Sequence, residues 1–202
     1  RIRREYPYSR YAALSELRIA DCHLQQNHYT EAIRAYRSFV RHRPAHADVP
    51  YAEFKIAEAY FRQIPSEFFL SPPPQERDQA ATRNALRQLR RFVLDHPESE
   101  HVERAREMVR DSLSLLAQHE LYVAQFYLNR DQPMAAVGRL RRLLDVYEGS
   151  GIEPRALLLL GRVYLHMREV RDARRAFEEL VERFPDSGYS EQAQEFLRRF
   201  EG

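Results

Sequence analysis

The residue types that most often carry chemistry in proteins are present, but their spacing does not build a catalytic or metal site. The chain has 8 histidines. His42 and His46 lie four residues apart, but Pro44 stands between them and breaks the helix that would align them. The pair His119-Glu120 has no second pair of ligands at a suitable spacing, whereas a protein metal site needs three or four converging ligands. We therefore expect no metal and no cofactor.

Sequence motifs of the common enzyme classes are also missing. There is no phosphate-binding glycine loop, no G-x-S-x-G motif and no Cys/His arrangement for nucleophilic catalysis. The single cysteine, Cys22, lies among apolar positions of a predicted helix, so we expect its thiol to be buried. Glu178 and Glu179 are adjacent on a predicted helix and face apart. These features predict a protein that binds other molecules and is not an enzyme.

Composition indicates a helical chain without a strong net charge. Of the 202 residues only 6 are glycine, 44% are hydrophobic and 31% are charged, and the formal net charge is +2. This balance gives no global argument for binding nucleic acid or an anionic membrane. No stretch approaches the roughly 20 apolar residues that span a bilayer.

A short phrase recurs three times between helical patterns, at residues 6–9, 96–99 and 184–187. Each copy has an aromatic residue or His, then Pro, any residue and Ser. Proline disfavours helical angles in the residue before it, and serine can cap the helix that follows. The phrase therefore predicts helical hairpins stacked one after another.

The positions of small residues indicate tetratricopeptide repeats. A small residue in the first helix of such a repeat (helix A) is followed twelve residues later by Ala in the second helix (helix B) and, after twelve more, by Pro. Repeats one and four match with Ala20, Ala32, Pro44 and with Gly161, Ala173, Pro185. Repeat three has Ala124 and Ala136 but ends in Glu148-Gly149-Ser150-Gly151. Repeat two is stretched, since Ala57 and Ala85 are 28 residues apart.

These repeats predict an all-α fold, a tetratricopeptide-repeat α-solenoid in which helical hairpins form a right-handed superhelix. The N-terminal lobe, 1–100, holds the end of a truncated repeat and two repeats. The C-terminal lobe, 101–202, holds two repeats and a capping helix from Ser187. The lobes share a long helix, because residues 102–128 contain no Pro or Gly.

Repeat two carries an insertion at 64–78 that is rich in proline. Its apolar residues Phe68, Phe69 and Leu70 either fold back onto the hairpin or form a contact for a partner.

The first helix of each repeat lines the inner face of the predicted solenoid. In repeat two the inward positions are Tyr51, Phe54, Glu58, Phe61 and Arg62, and repeat one adds Leu14, Leu17, Asp21 and Leu24. This aromatic groove suits an extended apolar-aromatic peptide. In repeat four the inward positions are Arg155, Leu158, Arg162, Leu165 and His166, a cationic set that suits an acidic patch on a folded domain. Packing between repeats, or solvated charge, is the alternative for both sets.

Several segments resemble one known family. Residues 6–12, 39–46 and 116–127, together with Arg77-Asp78-Gln79, Ala135-Ala136-Val137 and Arg139, are similar to the BamD (ComL) family. Its members are tetratricopeptide lipoproteins of the outer-membrane β-barrel assembly (BAM) machinery. The resemblance covers essentially the whole chain, including the insertion and the long helix. Gly138, where the family has Asn, and Tyr147-Glu148, where it has Tyr-Pro, depart from the family pattern.

The resemblance implies a non-enzymatic scaffold on the periplasmic side of the outer membrane. A lipid on an upstream cysteine would anchor it, and the phrase at residues 6–9 leads us to expect an upstream helix as well. The resemblance implies as partners the BamA periplasmic domains, other BAM lipoproteins and unfolded outer-membrane proteins, and no nucleic acid. Mapped onto this chain, Arg155, Arg162 and His166 become candidates for BamA. Candidates for the C-terminal signals of clients are Tyr51, Phe54, Glu58, Phe61 and Arg62.

Two other functions stay open. The chain could be another periplasmic tetratricopeptide adaptor, such as the Tol–Pal coordinator type, or a general protein-interaction scaffold. The upstream sequence separates them, because a lipobox cysteine favours β-barrel assembly and a coiled coil favours the coordinator.

Overall fold

The computed structural model describes residues 10–64 and 78–200, which contain nine helices and no strand. The insertion residues Phe68, Phe69 and Leu70 lie outside the described residues. The all-α tetratricopeptide class is confirmed. The helices are α1 Arg10–Gln25, α2 Tyr29–His42, α3 Val49–Arg62, α4 Ala80–Asp95, α5 Val102–Leu128, α6 Pro133–Val146, α7 Glu153–His166, α8 Val170–Arg183 and α9 Gly188–Phe200. Within the described residues, no helix combines the length and the apolarity needed to cross a membrane.

The turn between helix A and helix B is the same in three repeats. Each turn contains one non-glycine residue in the left-handed region, with φ of 60° at Asn27, 56° at Asp131 and 63° at Arg168. The next backbone N–H closes the turn by donating to a carbonyl five residues earlier, as in the bond of 2.9 Å from His28 to His23. Each of these turn residues follows the small residue of helix A by seven positions. The repeats predicted from small residues are therefore repeats of backbone conformation.

The predicted small residues lie where helices approach most closely. Those in helix B are 0% exposed, and they are Ala32, Ala85, Ala136 and Ala173. Ala57 and Ala85 belong to the same apolar cluster, so the stretched repeat closes in the same way as the others. In repeat four, a methyl group added at Gly161 would lie less than 3.0 Å from the ring of Phe177.

The serine of the recurring phrase bonds to the backbone two residues later. Ser99 Oγ accepts from the N–H of His101 at 3.3 Å, and Ser187 Oγ accepts from the N–H of Tyr189 at 3.3 Å. Ser187 stands directly before α9, so the predicted capping role is confirmed there.

The described residues form two compact units. The N-terminal unit contains residues 10–64 and 78–112, and the C-terminal unit contains residues 113–200. The predicted continuous helix over Val102–Leu128 is confirmed as α5, and the division between the units falls within it. The lobe boundary predicted at residues 100 and 101 stays a prediction.

Two apolar clusters stabilise the N-terminal unit. The first joins α1, α2 and α3 around Tyr36 and Phe39, which are 0% and 1% exposed. The second joins α3, α4 and the start of α5 around Phe54, Leu89 and Met108.

In the C-terminal unit, α5 and α6 are tied by a buried carboxylate, and α8 packs between α7 and α9. Glu120 accepts from Arg139 at 3.3 Å and from Arg142 at 3.0 Å. Phe177 on α8 is fully buried and stacks on Phe196 of α9, with ring centroids 4.9 Å apart.

The end of repeat three uses a carboxylate in place of the usual proline. Gly149 and Gly151 take φ values of 80° and 77°, which a side chain would disfavour. Glu153, at the start of α7, is 2% exposed and accepts from the N–H groups of Gly149 and Ser150 at 2.5 and 3.1 Å. One acidic residue therefore accepts the hydrogen bonds of the turn and also begins the next helix.

The predicted burial of Cys22 is wrong, since its side chain is exposed. The apolar residues that suggested burial, Ala20 and Leu24, lie two positions before and after it. Residues two apart on a helix point in nearly opposite directions. Ala20 and Leu24 therefore face the core and turn Cys22 outward.

Candidate functional site

One side of α3 carries a charged stripe formed by Tyr51, Lys55, Glu58 and Arg62. Their spacings of four, three and four residues place them in one row along the helix. Glu58 is at the centre and only 8% exposed. Its carboxylate accepts from Lys55 at 2.7 Å and from Arg62 at 2.5 Å.

The two cations determine the charge state of Glu58. Burial alone would raise the pKa of the Glu58 carboxyl, but hydrogen bonds and charge from Lys55 and Arg62 outweigh it, so that the pKa lies below its ordinary value. The stripe therefore holds a carboxylate between two cationic groups at neutral pH.

Asp21 of α1 fixes the position of this stripe relative to the neighbouring helices. Its Oδ1 accepts from the hydroxyl groups of Tyr36 and Tyr51, at 2.6 and 2.8 Å. Burial and the bond to Asp21 raise the pKa of both phenols, so both stay protonated and keep donating. One carboxylate thus connects α1, α2 and α3.

The five residues predicted for the N-terminal groove lie on two neighbouring sides of α3. Tyr51, Glu58 and Arg62 belong to the stripe. Phe54 is 5% exposed and stacks on His101 at 4.7 Å, in the cluster shared with α4 and α5. Phe61 is half-buried against that cluster. The part of the predicted groove that faces solvent is therefore Tyr51, Phe61 and Arg62.

Sequence reasoning missed Lys55, although its spacing from Tyr51 and Glu58 could have identified it. It also placed Leu17 and Leu24 on the inner face, whereas they are 4% and 3% exposed in the core. Leu14 is 49% exposed.

The C-terminal unit contains a concave pocket of about 650 Å³ between α5, α7 and α9. Arg155 and Arg162 lie two turns apart on α7, and both line it. Neither guanidinium has a carboxylate within 4.0 Å among the described residues, and no acidic residue lines the pocket. Its other polar residues are three glutamines and two tyrosines: Gln118, Gln125, Gln192, Tyr122 and Tyr189.

His166, the third residue predicted for this surface, does not line the pocket. It lies one turn beyond Arg162, is 68% exposed, and its Nε2 is 3.8 Å from Asp131 in the turn after α5. Sequence reasoning missed the contributions of α5 and α9. The four-residue and three-residue spacings of Gln118, Tyr122 and Gln125 indicate a common side of α5, but not that α7 packs opposite it.

The two surfaces are suited to non-covalent binding. Across 10–64 and 78–200, no group of three or more His, Cys, Asp or Glu side chains is arranged to hold a metal ion. The pocket of the C-terminal unit offers cationic donors for an anion, and the α3 stripe offers cations beside aromatic rings.

Comparison with known proteins gives a consistent family. The family model described as the outer membrane lipoprotein YfiO matches residues 1–176. The outer membrane protein assembly factor BamD of Caulobacter vibrioides is 32% identical over 187 residues, which cover 91% of this chain and 58% of that protein. BamD of Xylella fastidiosa strain 9a5c is 25% identical, with coverages of 90% and 63%. BamD of Neisseria meningitidis serogroup B is 25% identical, with coverages of 93% and 71%. The chain spans less than two thirds of the Caulobacter and Xylella proteins.

Among solved structures, a crystal structure of MamA is similar at 19% identity with a TM-score of 0.32. It covers 93% of this chain and 84% of MamA.

Proposed function

We propose that this chain, which belongs to the YfiO family of outer membrane lipoproteins, is a non-enzymatic scaffold in outer-membrane protein assembly. The same family includes BamD. In this proposal it acts on the periplasmic side of the outer membrane, held by a lipid on an upstream cysteine. The observation that carries the proposal is the C-terminal pocket, in which Arg155 and Arg162 have no acidic partner among residues 10–64 and 78–200.

The pocket binds an acidic patch on the periplasmic domains of the barrel subunit BamA. Two guanidinium groups on one helix can each bind a carboxylate through two hydrogen bonds. The glutamines and tyrosines around them supply further hydrogen bonds at the edge of the interface. His166, exposed one turn further along α7, extends the same cationic surface.

Charge reversal at Arg162 tests this proposal. We expect Arg162→Glu to weaken binding of the BamA periplasmic domains by about tenfold or more, because it places like charges opposite each other. Binding is measured by calorimetric titration, with circular dichroism to check the fold. Arg171→Glu, on the exposed side of α8, makes the same charge change away from the pocket and serves as the control. Equal affinities for the two variants would exclude Arg162 from the interface.

The α3 stripe receives the aromatic C-terminal segment of unfolded outer-membrane proteins. Lys55 and Arg62 are placed to bind a terminal carboxylate, and Tyr51 and Phe61 offer rings for an aromatic side chain. Phe54 supports these residues from below the surface.

A photocrosslinking peptide that ends in phenylalanine tests the client site. We expect crosslinks at Phe61 and other residues near Phe54, and weaker crosslinking by the same peptide with an amidated C-terminus, which lacks the charge. Crosslinks confined to the C-terminal unit would refute this assignment.

A further inference from the structure

The side of the N-terminal unit opposite the α3 stripe carries a basic face on α2 and α4. This basic face is defined by six exposed arginines: Arg37, Arg41, Arg83, Arg87, Arg90 and Arg91. Arg91 is paired with Asp95 at 3.2 Å. Within the described stretches, none of the other five has a carboxylate within 4.0 Å. Five positive charges on this face therefore have no paired carboxylate in the part of the unit that the structure describes.

The basic face does not follow from arginine-rich composition alone. Helix α4 carries four arginines and one acidic residue, whereas α8, the helix B of repeat four, carries four arginines and four acidic residues. The chain as a whole has a net charge of +2, so this positive charge is a local feature.

A groove of about 270 Å³ crosses the basic face between α2 and α4. Arg37, Arg41 and Arg91 line it, over an apolar floor that includes Ile56 and Phe92. Two carboxylates also line it, and both have partners: Asp95 is paired with Arg91, and Glu53 with His96. The Arg37 guanidinium also donates to the Tyr60 hydroxyl at 3.0 Å, which orients it. Guanidinium groups that converge in this way match the oxygens of a phosphate.

The groove and the α3 stripe use opposite sides of one helix. Ile56 and Glu53 of α3 line the groove, and at 100° per residue they point away from Tyr51, Lys55 and Glu58. The unit can therefore lie on one surface with its basic face while the stripe stays open.

An exposed apolar side chain completes the basic face. Arg83, Arg87, Arg90 and Leu94 follow each other at spacings of four, three and four residues, and so form one row on α4. Leu94 is 79% exposed. A leucine at the end of a row of arginines is typical of surfaces that bind at a bilayer interface, where cations meet headgroups and the apolar group enters the acyl boundary.

We propose that the basic face of α2 and α4 binds the headgroups of anionic phospholipids. This inference rests on the proposed function, which places the chain at a membrane surface. Anionic headgroups supply partners for the five arginines that have no carboxylate within 4.0 Å among the described residues, and Leu94 supplies an apolar contact that an acidic protein segment would not require.

Vesicle sedimentation of the full chain tests the inference. We expect binding to vesicles of phosphatidylcholine with about 30% phosphatidylglycerol, no binding to phosphatidylcholine alone, and weaker binding as salt is raised. The variant Arg83→Gln/Arg87→Gln/Arg90→Gln should bind about 100-fold more weakly, since each basic residue near such a surface contributes about fivefold. These side chains are exposed, so the fold should survive, which circular dichroism checks.

A matched variant and a neutral variant make the test specific. Arg171→Gln/Arg174→Gln/Arg175→Gln on α8 removes the same number of charges and should bind as the unaltered chain does. Leu94→Ser changes no charge and should reduce the binding that persists at high salt. Equal loss in the two triple variants would overturn the proposal, as would equal binding to uncharged vesicles.

Failure of this inference can be told apart from failure of the proposed function. The vesicles contain no protein, so the Arg162→Glu titration with BamA domains is independent of them. If the α4 triple variant loses affinity for BamA domains while vesicle binding is unchanged, the basic face docks a protein and the lipid proposal is wrong.

Discussion

Glu58 is the residue around which the N-terminal stripe is organised. Its carboxylate lies between Lys55 and Arg62, so it fixes both cations in position along α3. The same carboxylate is 8% exposed, and without its partners it would be costly to bury. Its role is therefore structural: it orients Lys55 and Arg62, the two groups proposed to bind the carboxylate of a client.

We predict that Glu58→Gln lowers the free energy of unfolding by about 1 to 3 kcal/mol at neutral pH, because two cations lose a charged acceptor. The pKa of the Glu58 carboxyl is lowered in the folded state. The ionised carboxylate therefore stabilises the fold fully above the unfolded carboxyl pKa of about 4.3, and this stabilisation is lost as the pH falls through the lower pKa of the folded state. The difference in the free energy of unfolding between Glu58→Gln and the unaltered chain should thus become smaller below about pH 4. Urea unfolding at several pH values measures this.

The control for this prediction is Glu98→Gln, which removes an exposed carboxylate without a cationic partner among the described residues. It should change the free energy of unfolding by less than about 0.5 kcal/mol. A pH-independent loss in Glu58→Gln would show that packing, and not charge, is responsible.

At the scale of elements, the hairpins are defined by close approach at small residues and by a shared turn. Gly161 lets α7 approach the fully buried ring of Phe177 on α8. The left-handed residue that follows seven positions later, Arg168, then reverses the chain. Because Phe177 also stacks on Phe196, this one contact sets the position of three helices.

We predict that Gly161→Ala destabilises the protein by about 1 to 3 kcal/mol, because the added methyl group would overlap the fully buried ring of Phe177. Thermal unfolding followed by circular dichroism measures the loss. Gly138→Ala on α6 is the matched control, since a methyl group there meets nothing within 4 Å. It should stabilise the protein by up to about 1 kcal/mol through helix propensity. Equal changes in stability for Gly161→Ala and Gly138→Ala would contradict the close approach of α7 to the ring of Phe177.

At the scale of the whole molecule, two units carry surfaces of different chemistry. The N-terminal unit has an aromatic and charged stripe on one side of α3 and the basic face on the other. The C-terminal unit has a cationic pocket, and none of the described residues that line it is acidic. Separate surfaces of this kind are what the proposed scaffold role requires, because that role consists of holding several partners at once.

Much of the fold was determined by the sequence itself. Several local requirements of the backbone can be recognised in the sequence. They are met by the small residues Ala32, Ala136 and Ala173, by the prolines after helix B, and by a stretch without Pro or Gly along α5. Each is a choice of residue type at a fixed spacing, so it can be recognised without knowing which helices meet. The placement of Arg155 and Arg162 on one side of α7 follows in the same way from their spacing of seven residues.

Only the tertiary structure decided which side of each helix is covered. Phe54 and Tyr51 are three residues apart and both rings lie beside His101 of a distant segment, yet Phe54 is only 5% exposed, whereas the Tyr51 hydroxyl donates to Asp21 of α1. Likewise, Cys22 is exposed although apolar residues surround it in sequence. The pocket of the C-terminal unit depends on α5, α7 and α9 meeting in space. Periodicity tells which residues share a side of a helix, but burial depends on partners that are remote along the chain.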